Sequence, residues 1–107
     1  MHAVGVSITE YVSDDQPGWV RCSFTDAAGR QWQFVEKAPV VSSANLTALS
    51  TYPQPGQIGC RVLSRSAEHG RPTARIDTSD PWGIESVDGN NVFRVFVEQL
   101  KDVADVP

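Results

Sequence analysis

Four carboxylates crowd one short stretch of this chain, "IDTSDPWGIESVDGNN" at residues 76 to 91, and no basic residue interrupts them. Asp77, Asp80, Glu85 and Asp88 offer hard oxygen donors and proton carriers, which calcium sites and paired-carboxylate hydrolases both need. The spacing argues against both uses. It lacks the Asp-x-Asp-x-Asp-Gly rhythm of a calcium loop, and Pro81 with Trp82 stands where ligands would be wanted. What remains is an acidic loop that carries one large ring. Pro81 restricts the backbone before the indole and Gly83 permits a sharp reversal after it, so Trp82 is held stiffly. Such stiffness suits a plug closing an open barrel end or a preorganised aromatic anchor for a partner. The plug is the expectation adopted, with Trp82 largely buried beside Ile84.

Other chemistries find little material. His2 and His69 are the only histidines, one near the start of the sequence and one in a turn beside Gly70, so neither is an obvious base for a serine or cysteine. Cys22 and Cys60 belong to no Cys-x-x-Cys pair and lie near no histidine, which leaves no zinc or redox motif. They are expected as buried reduced thiols, with a bridge between facing strands as the alternative. The glycines are scattered and do not gather before a helix, so no phosphate loop is present. No catalytic residue, cofactor or metal is assigned.

The elements that must carry these residues are strands. Period-two alternation places Val4, Val6 and Ile8 on one face, and does the same for Val20, Cys22 and Phe24, for Trp32 and Phe34, for Ile58, Cys60 and Val62, and for Ala74 and Ile76. "DDQPG", "DAAG", "YPQPG", "EHGRP" and "VDGNN" separate them with turn chemistry. The expectation is an all-β, mainly antiparallel fold of six to seven strands, a small barrel or sandwich forming a single domain over residues 1 to 107. Residues 39 to 56 read as a crossover in which Ser43 could cap one helical turn. Residues 92 to 97 read as strand, with a helical turn through "EQLKDV" following. At "VEKAPV", Pro39 announces a strand end that leaves Glu36 at the rim, the alternative being a buried Glu36 paired with an arginine.

The hairpin of residues 58 to 78 yields a sharper expectation. If Cys60 faces Ile76 and Val62 faces Ala74, then Arg61 stands opposite Arg75 on the outer face, an unfavourable pair that calls for a nearby anion. Charge is also laid out unevenly within a net −4. Residues 21 to 75 carry seven basic against three acidic side chains, while both flanking segments are acidic. Mutual neutralisation on folding is expected. An acidic whole disfavours general phosphate-backbone binding, for which Trp19 beside Arg21 is the one stacking-plus-charge hint.

The phrases "PGWVRCSFTDAAGR", "FVEKAPVV", "YPQPG" and "RIDTSDPWGIES" resemble those of small, uncharacterised bacterial single-domain proteins, and they cover most of the chain. The resemblance implies a bacterial source and carries no activity or residue role. The sequence shows no apolar run near the ~20 residues of a membrane span and no signal-like start, so no membrane partner is expected and the cytoplasm is the expected address. By exclusion, the leading function is a non-enzymatic protein-binding module of adaptor or immunity type, with Trp82, Asp80, Glu85, Asp88, Arg61 and Arg75 as its candidate surface. A small-ligand or anion binder, or an enzyme, using the acidic loop with Arg61 and Arg75 is the alternative. A nucleic-acid-binding barrel is the third.

Overall fold

The computed structural model describes residues 1 to 103. Seven strands form one curled, mainly antiparallel sheet: β1 (His2–Ser13), β2 (Trp19–Thr25), β3 (Gln31–Lys37), β4 (Gln54–Glu68), β5 (Arg71–Asp77), β6 (Val92–Phe96) and β7 (Leu100–Asp102). One four-residue helix, α1 (Ala38–Val41), and a 3-10 turn (Val97–Gln99) complete it. The strand order β3-β2-β1-β4-β5-β6 makes a half-barrel, with β7 added on β1. Among the described residues no helix is long and apolar enough to cross a membrane.

The alternating residues line the inner face of the curled sheet. Val4, Val6 and Ile8 of β1, Val20 and Cys22 of β2, and Ile58 and Cys60 of β4 are all buried, as the period-two pattern requires. Closure across the open side is made by side chains and loops. Phe93 on β6 meets Phe24, Phe34 and Trp32 with ring centroids 5.2, 5.8 and 5.0 Å away, which ties β6 to the β2–β3 hairpin. Two backbone bonds reinforce it, from Ala27 N–H to the Arg94 carbonyl at 2.8 Å and from Val87 N–H to the Gln33 carbonyl at 2.9 Å.

Strand β4 is the spine. Residues 54 to 60 pair with β1, whereas residues 61 to 68 pair with β5, so one fifteen-residue strand holds two offset ladders together. Gly56 is required where α1 crosses it, because a Cβ there would lie 2.7 Å from the Val41 carbonyl oxygen and 2.6 Å from Cδ1 of Ile8.

Three local expectations need correction. The helical turn of the crossover comes at Ala38–Val41, with Pro39 in its first turn, and not behind Ser43; proline's fixed φ suits a helix start as well as a strand end. At the C-terminal end only Val97–Gln99 is helical, and Leu100–Asp102 returns to strand because β1 offers its free edge at His2–Val4. The third correction is the register of the β4–β5 hairpin. His69 and Gly70, both at positive φ (49° and 79°), form a two-residue turn that puts Glu68 opposite Arg71. A bulge between Val62 and Ser64 shifts the ladder again, so Arg61 faces Asp77, and Val62 faces Ile76.

Candidate functional site

The loop from residue 78 to residue 91 is built on Asp77 and Thr78. The Asp77 carboxylate accepts from the Ser79 hydroxyl at 2.6 Å, from the Asn91 amide at 2.8 Å and from the Ser79 N–H at 2.9 Å. These donors, chiefly the Ser79 hydroxyl and the Asn91 amide, outweigh desolvation and hold its carboxyl below the usual range, with Arg61 adding to the effect. Thr78 is fully buried, and its hydroxyl donates to the Ile84 carbonyl at 2.8 Å while its N–H donates to the Asn91 carbonyl at 2.8 Å. Both ends of the loop are therefore pinned, and Gly83, at φ +67°, turns the chain between them.

That turn separates the two apolar side chains of "PWGI". Ile84 enters the core and is 2% exposed, whereas Trp82 remains 46% exposed. Trp82 does not plug the barrel. It lies on the opposite, outer face of β4, directly over Gly59, where a Cβ would come 2.9 Å from the ring's Cζ3. Glycine at position 59 is the seat that draws the indole outward, and its place inside a strand was the sequence signal for a close approach. The indole N–H bonds no group among the described residues.

The structure disperses the other residues of the candidate surface. Asp80 stands 3.7 Å from Arg61, and Asp88 stands 3.8 Å from Arg30 across the molecule. Glu85 is exposed with no ion-pair partner among the described residues. No three metal-ligating side chains converge among the described residues. Arg61 and Arg75 are diagonal neighbours and not an opposed pair; Arg75 faces Ser64 on one side and Arg94 on the other, so the like-charge pair expected in the β4–β5 ladder lies in the β5–β6 ladder. Arg94 is held by Glu68 at 3.1 Å, and Arg75 has no acidic partner among the described residues.

Beside Trp82 the surface is indented twice. A depression of about 420 Å³ runs between α1 and the indole, bordered by Pro39, Val40, Pro55 and Gln57. Another, of about 380 Å³, lies where β1 begins, between Met1, His2, Val62 and the Asp80–Pro81 corner.

Cys22 and Cys60 are free and buried; burial pushes their thiols up to about 12 and about 11, so both are protonated and unreactive at neutral pH. Glu36 is half-buried and accepts the Lys37 N–H at 3.2 Å, with no arginine partner among the described residues. Arg21, beside Trp19, is held by Glu10 at 2.9 Å. Ion pairs from Arg21, Arg30, Arg61 and Arg71 to Glu10, Asp88, Asp80 and Glu98 join the basic middle of the chain to its acidic flanks, which is the expected neutralisation. The comparisons with known proteins return nothing: no protein family, no curated protein and no solved structure matches the chain.

Proposed function

We propose that this chain is a non-enzymatic protein-binding domain that docks through the outer face of β4 around Trp82, as an adaptor or neutralising partner inside a bacterial cell. The observation that carries the reading is the posture of Trp82: half-exposed, its N–H bonded to no group among the described residues, and its loop held from both ends by the Thr78 and Asp77 bonds. A large ring presented without mobility loses little entropy on binding, and tryptophan is the residue most often found at the energetic centre of interfaces. The flanking indentations give a partner's apolar side chains somewhere to go on either side of the indole. Asp80, at the Pro81 corner of one indentation, suits a basic residue at the rim, where charge steers encounter.

The anion-binding alternative has less support, because Asp80 and Asp77 stand beside Arg61 while Arg75 is turned toward Arg94. The nucleic-acid reading has less again, with Arg21 engaged by Glu10. Photo-crosslinking tests the proposal. A photoreactive residue at position 85, expressed in the native cell, should give a discrete protein adduct that disappears in Trp82→Ala and persists in Val87→Ala. An adduct unaffected by Trp82→Ala would refute the docking face.

A further inference from the structure

The outer face of the sheet formed by β4, β5 and β6 carries a row of side chains that the chain does not complete. Ser64 pairs with Arg75 across the β4–β5 ladder and Arg75 with Arg94 across the β5–β6 ladder, so all three leave the sheet in line. Alternation fixes the face: Ala74, Ile76, Phe93 and Val95 are buried inside, which sends Arg75 and Arg94 out to solvent. Directly opposed residues stand about 5 Å apart at Cβ, a spacing at which like charges repel unless an anion lies between them.

The acids nearby do not fill that place. Glu68 Oε2 stands 3.1 Å from Arg94, yet this buried oxygen accepts no hydrogen bond. The contact runs diagonally across β5 over Thr73, which lies on the same face midway between Arg71 and Arg75 and is 2% exposed. A partly exposed pair of this kind contributes little. Asp77, two residues along from Arg75, faces Arg61 and accepts from Ser79 and Asn91, while Glu98 holds Arg71. Arg75 therefore has neither an ion pair nor a side-chain hydrogen bond among the described residues. The Arg94 guanidinium donates no hydrogen bond there, and the Ser64 hydroxyl is equally unbonded.

We infer that Arg75 and Arg94 together form a binding site for a phosphate-like dianion, carried as free phosphate or as the phosphoryl group of a phosphorylated side chain. Each guanidinium is a planar fork of N–H donors that fits two oxygens of such a group, and the Ser64 hydroxyl adds a donor from the same row. Two charges on the ligand answer the two that oppose each other across the β5–β6 ladder, whereas a phosphodiester carries one and leaves the other unanswered. Glu68 limits the affinity, because it competes for Arg94. Neither the acidic loop nor Trp82 takes part. The row lies on the order of 15 Å along β4 from Gly59, where the indole sits, so the inference goes beyond the docking face and does not depend on it.

The test titrates inorganic phosphate into the full chain at constant ionic strength and follows the arginine Nε–H resonances by NMR. Arg75 and Arg94 should shift together and saturate in the millimolar range, with no saturable response to chloride or to dimethyl phosphate. Arg75→Glu should abolish the response while the variant keeps or raises its denaturant midpoint, which separates binding from folding. Arg75→Lys should weaken binding by about tenfold, because an ammonium cannot engage two oxygens as a fork does. Glu68→Gln should tighten it by about threefold by releasing Arg94, and Trp82→Ala should leave it unchanged. A capped phosphoserine peptide identifies the source: binding as tight as phosphate or tighter assigns the site to a phosphorylated side chain, and weaker binding assigns it to the free ion. Three results would each overturn the inference: no saturable shift by about 50 mM phosphate, an equal response to dimethyl phosphate, or binding retained in Arg75→Glu.

Discussion

Trp32 and Trp82 look alike in the sequence, each a few residues from an aspartate and beside a turn, yet the molecule uses them in opposite ways. The Trp32 indole donates to Asp26 at 2.8 Å, carries the Arg30 guanidinium 3.8 Å above its ring and sets its edge on Phe93 at 5.0 Å. Every part of that side chain is answered from within. Trp82 has a glycine beneath it and solvent above. The contrast follows from where each chain segment is sent. A tight hairpin folds its ring back on its own strands, whereas a loop leaving the end of a strand can lay its ring on the outside.

The comparison breaks most visibly by deletion. Trp32→Ala should cost about 3 kcal/mol, at the low end for a large aromatic removed from a packed site because the ring is only partly buried. Trp82→Ala should cost only about 1 kcal/mol, as removal of a half-exposed side chain does. Denaturant titration of the two variants checks this, and equal losses would mean that Trp82 is structural after all. Gly59→Val sharpens the difference from beneath. It should lift the indole from β4 and shift the emission of a protein retaining only Trp82 to the red, for a stability change below about 1 kcal/mol.

Acid should loosen both corners together. The Asp26 carboxyl is pushed up by burial, but the Trp32 indole, with the Arg30 and Ala28 N–H groups, outweighs that and leaves it below its ordinary range. Asp77 is lowered as well. A carboxylate with a depressed folded pKa contributes stability that is present above its unfolded value, about 3.9, and is lost as pH falls through the folded value. Stability should therefore decline below about pH 4, and the decline should be shallower in Asp26→Asn and Asp77→Asn. The smallest effect expected is a gain. Arg75→Glu turns the Arg75–Arg94 cross-strand pair into an opposite-charged one, worth about 0.2 to 1 kcal/mol. A loss of several kcal/mol would reveal a partner for Arg75.

The strands were legible because burial on one face imposes a period of two on the order of apolar and polar residues, and Val4, Val6 and Ile8 or Phe93 and Val95 display it plainly. Register was not legible. It turned on a two-residue turn at His69–Gly70 and one extra residue near Leu63, and moving either leaves the alternating pattern almost unchanged while it re-pairs Arg61. The destination of Trp82 was hidden for a related reason. Its neighbours Pro81 and Gly83 specify stiffness, and only the bare backbone of Gly59, more than twenty positions earlier, specifies which side of the sheet receives the ring.

The arrangement around β1 also sets a timetable. His2 pairs with Cys60 on one side and with Asp102 on the other. At about 5 to 20 residues per second, the ribosome makes those last partners about 5 to 20 s after His2. Throughout that interval the beginning of β1 has one edge that nothing in the nascent chain can satisfy, and closing so long a loop is slow even once the partner exists. A growing chain is therefore most open to mispairing along this edge of β1.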